Sequence, residues 1–182
     1  MAHTKRGLLV GRFQPFHKGH EYVINQILKE NDEVIIAVGS AQLSYTLENP
    51  LTAGERVYMI QSALKQRRLG LDKAITITVP DIQYNSVWPT HLKSYSPPFD
   101  TVYTNNPLVT ALLKDAGITV KHPKLYMRNK CSGTNIRRWL LKGDPQWRKY
   151  VPDTTIIILD ELKIRERLLT ITAQYENPGG RE

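Results

Sequence analysis

The sequence predicts an α/β fold, a doubly wound parallel sheet with helices on both faces and a C-terminal helical segment. Three observations carry this expectation. Short β-rich runs alternate with amphipathic segments through the first two-thirds of the 182 residues. The runs are almost continuously apolar, as strands covered on both faces are. From Ser132 onward the spacing turns helical, with Ile136, Leu140 and Leu141 sharing a face.

In chain order, Gly7 to Phe13 reads as a buried strand and Lys18 to Glu30 as a helix carrying Val23, Ile24, Ile27 and Leu28 on one side. Val34 to Gly39 is the second strand. Thr52-Ala53-Gly54-Glu55 matches a capping box and opens a helix to about Gln66, with Gly70 as its stop. Ala74 to Ile82, Thr101 to Tyr103 and Ile118 to His122 complete the strands, and Leu108 to Lys114 forms a helix between the last two. Strand, helix, strand at this spacing means βαβ crossovers and a Rossmann-like parallel sheet. Pro152-Asp153 opens a last helix toward Ala173, although Thr154 to Ile158 is a β-branched run with a local preference for strand. The periodicity of Leu162, Leu168 and Leu169 favours helix. One domain over residues 1–176 is expected, with 177–182, containing Pro178-Gly179-Gly180, as a flexible tail.

No apolar run approaches the roughly 18 residues of a membrane helix, and the first fifteen residues do not have a secretory pattern. A cytoplasmic protein is the expectation. The single cysteine, Cys131, excludes an internal disulfide and a multi-cysteine zinc site, and reads as a small buried apolar residue. A formal net charge of +8 suits an anionic partner. Nucleotide, nucleic acid and acidic protein all satisfy it, but the basic residues are scattered and no aromatic-interleaved stripe of an RNA reader is present.

The stretch Gly11 to His20, "GRFQPFHKGH", leaves the first strand on the edge where such sheets bind ligands. A helix beginning near Lys18 turns its free N–H groups toward an anion, and Gly19 lets a phosphate approach. His17 and His20, three residues apart, project to one side as donors. Gly11, Arg12, His17, Lys18, Gly19 and His20 all suit one phosphate. A metal site is the alternative, but no nearby Asp, Cys or third His completes it. Neither a P-loop nor a G-x-G-x-x-G fingerprint occurs.

H-x-G-H behind a first strand, together with "SGTNIR" (Ser132 to Arg137), resembles the two signatures of the nucleotidyltransferase superfamily. The wider "GRFQPFHKGH", "GSAQLSYTLENPLTAGER" (Gly39 to Arg56) and "DIQYNSVWPTH" (Asp81 to His91) are similar to the archaeal nicotinamide mononucleotide adenylyltransferases. The resemblance covers roughly residues 6 to 170. It implies condensation of ATP with nicotinamide mononucleotide (NMN) to NAD and pyrophosphate, by direct in-line attack on the α-phosphate. His17, His20 and Arg137 would be the catalytic groups. Gly11, Arg12, Phe13, Gly19, Ser132, Thr134, Asn105 and Asn106 would hold ATP. Gly39, Ser40, Asp81, Asn85 and Trp88 would hold the acceptor, with Trp88 on the pyridinium ring and Asn85 on the carboxamide. Mg²⁺ would be bound through the ATP phosphates with no protein side chain ligating it, and a homo-oligomer is implied. Arg56 is a further basic group near the cleft, and Glu48 stands where a basic residue would have helped hold phosphate.

Two other readings stay open at this level. A related nucleotidyltransferase for flavin mononucleotide or phosphopantetheine would use the same signatures with a different acceptor segment. A non-enzymatic nucleotide- or nucleic-acid-binding module would use the fold and the charge, and would be expected to lack the histidines and Arg137, which are present.

Overall fold

The computed structural model describes residues 3–67 and 71–176. Five strands, β1 (Arg6–Gly11), β2 (Glu33–Val38), β3 (Ala74–Thr78), β4 (Thr101–Tyr103) and β5 (Val120–Lys121), form one sheet in the order β3-β2-β1-β4-β5. Every pairing is parallel. The helices are α1 (Lys18–Leu28), α2 (Ala53–Gln66), α3 (Trp88–Tyr95), α4 (Pro107–Asp115), α5 (Gly133–Lys142), α6 (Asp153–Glu161) and α7 (Ile164–Glu176). The expected α/β fold, doubly wound with a C-terminal helical segment, is therefore present. No helix among the described residues is long and apolar enough to cross a membrane.

Alternate strand residues feed two cores. Leu9, Val34, Ile36, Val38 and Tyr103 face α1, α2, α5, α6 and α7, while Leu8, Ile35, Ala37 and Val102 face α3 and α4. Burial on both faces is why the strands read as continuous apolar runs. From β1 the chain builds outward through β2 to β3, then crosses to β4 on the other side. The carboxyl ends of β1 and β4 thus flank the switch point, where a crevice must open because the flanking connections run in opposite directions.

Several boundaries differ from expectation. β1 stops at Gly11 because Phe13 turns to φ 52°, outside the extended region. β3 ends at Thr78: the Val79 N–H still reaches the Val38 carbonyl at 2.9 Å, but Pro80 has no N–H to continue the ladder. Trp88 opens α3 behind a 3-10 turn at Asn85–Val87, with Pro89 in the first turn, where its missing N–H costs nothing. The run at 154–158 is helical, since Thr155, Ile158 and Leu159 bury one side of α6. The single last helix is two, α6 and α7, broken at Lys163 with φ 48°. The capping box is as expected: Thr52 Oγ1 accepts the Glu55 N–H at 3.2 Å and Glu55 Oε2 accepts the Thr52 N–H at 2.8 Å. Gly70 and the tail at 177–182 lie outside the described residues.

Gly7 marks the closest approach of α1 to the sheet. A Cβ there would sit 2.5 Å from Ile27 Cγ2 and 2.9 Å from the Tyr103 ring, whereas one on the exposed Gly54 meets nothing within 4 Å. Gly7→Ala should therefore destabilise the fold by about 1–3 kcal/mol. Gly54→Ala, in the first turn of α2, should stabilise it by about 0.4–1 kcal/mol. Urea unfolding midpoints of the two variants, moving in opposite directions, are the check.

Candidate active site

Between β1 and α1 the chain runs inward. Phe13, Gln14, Pro15, Phe16 and His17 are all buried. Gln14 anchors the turn by pairing with the backbone of Leu51, its Nε2 donating to the Leu51 carbonyl at 2.8 Å and its Oε1 accepting the Leu51 N–H at 3.0 Å. A Cβ on Gly11 would stand 3.0 Å from the Phe13 ring, which would have to give by a few tenths of an ångström to admit it. His17 precedes α1, and the His17 N–H donates to His20 Nδ1 at 3.2 Å. That bond leaves the His20 proton on Nε2, so Nε2 is a donor. The two imidazoles stack with centroids 3.6 Å apart, and the Phe13 ring closes on His20 at 4.6 Å. Burial lowers His17 to about 3 and holds His20 well below the usual imidazole range, with the neighbouring His17 adding to the effect. Both rings are neutral at physiological pH.

Two of the first three amides of α1, those of Gly19 and His20, already have partners, which narrows the set of free donors expected at the helix start. The Gly19 N–H meets Cys131 Sγ at 3.2 Å, and the His20 N–H returns to the His17 carbonyl at 2.8 Å. At Gly19 the space a Cβ would take lies 2.9 Å from His17 Nδ1 and 3.4 Å from Cys131 Sγ, so the missing side chain lets the His17 ring pack there. Lys18 turns away and donates to the Lys149 carbonyl at 3.0 Å. His17 and His20 line the cavity between Arg12 and Arg137, whereas Lys18 and Gly19 do not.

The second signature closes onto this turn. Ser132 caps α5, accepting the Asn135 N–H at 3.3 Å. A Cβ on Gly133 would lie 2.8 Å from the Gln14 carbonyl and 3.1 Å from Arg137 Nη1, so only glycine allows α5 to approach so closely. Arg137 donates from Nε to the Leu47 carbonyl at 3.0 Å and from Nη1 to the Gln14 carbonyl at 2.8 Å. Its Nη2 has no hydrogen-bond partner among the described residues. Burial and then Arg12 lower its pKa, and Glu48 opposes them. Glu48 is thus an exposed counter-charge to Arg137.

Three cavities adjoin. One of about 170 Å³ is lined by Arg12, Phe13, Gln14, His17, His20, Gly133, Thr134 and Arg137. A second, about 430 Å³, shares His17, His20, Gly133 and Thr134 with it and adds Gly19, Val23, Cys131 and Ser132. Leu125, Tyr126 and Arg128 also line it, from a loop that shows no periodicity and that sequence reasoning missed. The third, about 340 Å³, sits over the carboxyl ends of the strands and is lined by Gly11, Arg12, Gly39, Ser40, Asp81, Trp88 and Asn106, with Val10, Val79, Leu92 and Val109 as apolar wall. Arg12, exposed, belongs to both the smallest cavity and this one.

Within the third cavity, the Gly39 N–H donates to the Gly11 carbonyl at 2.9 Å and Ser40 Oγ donates to Asp81 Oδ1 at 3.1 Å. Trp88 packs partly against the α3/α4 core and leaves part of its ring in the wall. Asn106 caps α4, its Oδ1 taken by the Leu108 and Val109 N–H groups. Asn105 donates to the Pro123 carbonyl at 2.9 Å and Asn85 is exposed on the 3-10 turn; neither lines any of these three cavities. Arg56 is fully buried and donates to four carbonyls, so it is no phosphate ligand. Among the described residues, no three His, Cys, Asp or Glu side chains cluster to hold a metal.

Residues 8–139 match the cytidylyltransferase-like family. A nicotinamide-nucleotide adenylyltransferase of Archaeoglobus fulgidus is 50% identical over 172 residues, covering 93% of this chain and 98% of that one. One of Pyrobaculum arsenaticum is 43% identical over 173 residues, covering 95% and 97%. Among solved structures, a bifunctional NMN adenylyltransferase/ADP ribose pyrophosphatase from Francisella tularensis superposes with a TM-score of 0.75 at 18% identity, over 96% of this chain. The chain spans 54% of that longer protein, so the likeness speaks for the fold alone. A second structure of it, at the same TM-score and 20% identity over 96% of this chain and 53% of that one, is complexed with AMP and a Mn ion. With identities this high over nearly the full length of the archaeal relatives, the chain belongs to the nicotinamide-nucleotide adenylyltransferases, within the cytidylyltransferase-like family.

Proposed function

We propose that the cleft condenses ATP with NMN to give NAD and pyrophosphate, and that Arg12, at the junction of two cavities, marks where the two substrates meet. The carrying observation is that junction. The 430 Å³ cavity has the size and the Tyr126, Arg128 and Leu125 wall for a nucleoside, the 170 Å³ cavity is lined by donors, and the 340 Å³ cavity offers an indole to an aromatic ring. In this reading the NMN phosphate attacks the α-phosphorus beside Arg12. His20 Nε2–H donates to an α-phosphate oxygen, and Arg137 Nη2 to the oxygens beyond it. Fixed donors in a partly dry site stabilise growing charge without reorganising. The acceptor would stack on Trp88 with the Asp81–Ser40 pair beside it, and the Asp81 carboxylate favours a neutral carboxamide over the negatively charged acid analogue. The lining of the 170 Å³ cavity contains no carboxylate, which fits a divalent cation, Mg²⁺, carried by the ATP phosphates. Bound there, that ion would neutralise β and γ oxygens. Assembly as a homo-oligomer and a cytoplasmic location belong to the same proposal. The direct test is pyrophosphate release with ATP and a panel of acceptors: NMN, its nicotinic acid analogue, flavin mononucleotide and phosphopantetheine. A flavin or pantetheine preference would replace NMN as the acceptor.

His20→Ala should lower kcat by about 10²–10³ with a much smaller change in the ATP KM, since the donor acts on charge that develops in the transition state. Near-normal turnover would take His20 out of the mechanism. Neutral histidines also set an acid limit on stability. The unfolded His17 takes up a proton below about pH 6.5, while the folded one stays neutral down to about 3. The stability it contributes is complete above the unfolded value and is lost as pH falls between them. Urea unfolding at pH 7, 6 and 5 should show wild type losing about 1.4 kcal/mol per pH unit more than His17→Gln below pH 6.

Trp88→Ala should raise the KM for NMN about five- to thirtyfold, with that for ATP nearly unchanged, as removal of one stacking partner of roughly 1–2 kcal/mol implies. Equal losses for both substrates with a large fall in melting temperature would return Trp88 to a packing role.

A further inference from the structure

We infer that Arg56 is a positioning residue for the acceptor half of the reaction: buried beneath the 340 Å³ cavity, it holds the ends of β1 and β2 in the shape that receives NMN. The inference rests on the proposed reading of that cavity. Arg56 is 0% exposed, and its guanidinium makes no ion pair among the described residues. Its partners are carbonyls. Nε donates to Thr52 at 3.1 Å in its own helix cap, Nη1 to Arg12 at 2.9 Å and to Gly39 at 2.7 Å, and Nη2 to Ser40 at 3.1 Å. Burial lowers its pKa to about 10, with Asp81 acting against the fall. It remains a cation at neutral pH.

A buried cation without a carboxylate is an expensive way to fill space, because its desolvation is offset only by carbonyl hydrogen bonds. What those bonds hold explains its presence. Arg12, Gly39 and Ser40 all line the acceptor cavity. Ser40 has φ 49°, in the left-handed region that a serine adopts only when its surroundings enforce it. Arg56 grips the carbonyl of that residue while the hydroxyl reaches Asp81. Arg56 likewise fixes the carbonyl of Arg12, whose side chain stands at the junction of the acceptor and phosphate cavities. Arg12 apart, the residues lining the phosphate cavity make no hydrogen bond to Arg56. His17, His20 and the start of α5 are held by Gln14, Cys131 and Arg137 instead.

Only a planar fork with donors on three nitrogens reaches four carbonyls on two strand ends and a helix cap. Arg56→Lys keeps the charge and loses the fork. Arg56→Gln loses both. The experiment is steady-state kinetics of NAD formation for each substrate, with calorimetric titration of NMN alone and a thermal melt for each variant. Wild type forming NAD from ATP and NMN comes first, and its failure to do so overturns the reading of the cavity whatever the variants show. With wild type active, Arg56→Lys should lose about ten- to a hundredfold in kcat/KM for NMN and bind NMN more weakly in titration, while the KM for ATP stays within about threefold. Arg56→Gln should lose more in the same direction. If Arg56→Gln does not fold, the lysine variant decides. A lysine variant with wild-type kcat/KM for NMN overturns the inference, and so do equal losses for both substrates alongside a lowered melting temperature, which is the signature of a general structural role.

Discussion

The structure depends on a buried loop. Residues 13–17 pass from β1 to α1 through the interior, and a loop there has no ladder to satisfy its N–H and C=O groups. Partners must come from elsewhere in the chain. The Gln14 carbonyl is met by Arg137 on α5 and the Gln14 side chain pairs with the Leu51 backbone, while on either side of the loop the Arg12 carbonyl is met by Arg56 on α2 and the Gly19 N–H by Cys131. Each lies far along the sequence. The same contacts that keep the loop from unfolding into water therefore assemble the cleft, and they explain why a C-terminal helical segment is part of a site built on the first strand.

Four arginines divide the work in ways that charge alone does not distinguish. Arg12 is exposed between two cavities and is the freest of the four. Arg56 is committed wholly to carbonyls, and Arg137 is half committed, with Nε and Nη1 engaged. Arg167 on α7 pairs bidentately with Glu55 at 2.8 and 2.9 Å, donates to the Pro50 carbonyl and lies over the Tyr45 ring. Glu55 also closes the capping box of α2, so the last helix braces the segment that runs from β2 into α2. Desolvation, not the formal charge of +8, decides which of these cations remains available to an anion.

The histidines show a related economy. Stacked at 3.6 Å and enclosed by Phe13, Phe16 and Cys131, they cannot both carry a proton, since burial and mutual repulsion oppose charge. Neutral imidazoles are still donors, and the bond from the His17 N–H to His20 Nδ1 selects the tautomer that presents Nε2–H. Positive charge in the cleft comes from the guanidinium groups, and directional hydrogen bonding comes from the rings.

The sequence by itself determined the sheet, the two signatures and the family, because strand burial writes an apolar run and the H-x-G-H and "SGTNIR" segments are contiguous in the chain. For 154–158 it set a leucine periodicity against a β-branched run and only favoured helix; the burial of Thr155, Ile158 and Leu159 along one side of α6 decided it. Only the tertiary structure decided that Trp88 begins a helix, that Asn85 and Asn105 stand outside the three adjoining cavities, and that Arg56 is buried while Arg12 is exposed. The division has a physical reason. Periodicity and signatures record what a segment does with its own neighbours, whereas the availability of a donor is fixed by which carbonyls or sulfurs distant segments bring to it, and no local pattern encodes that.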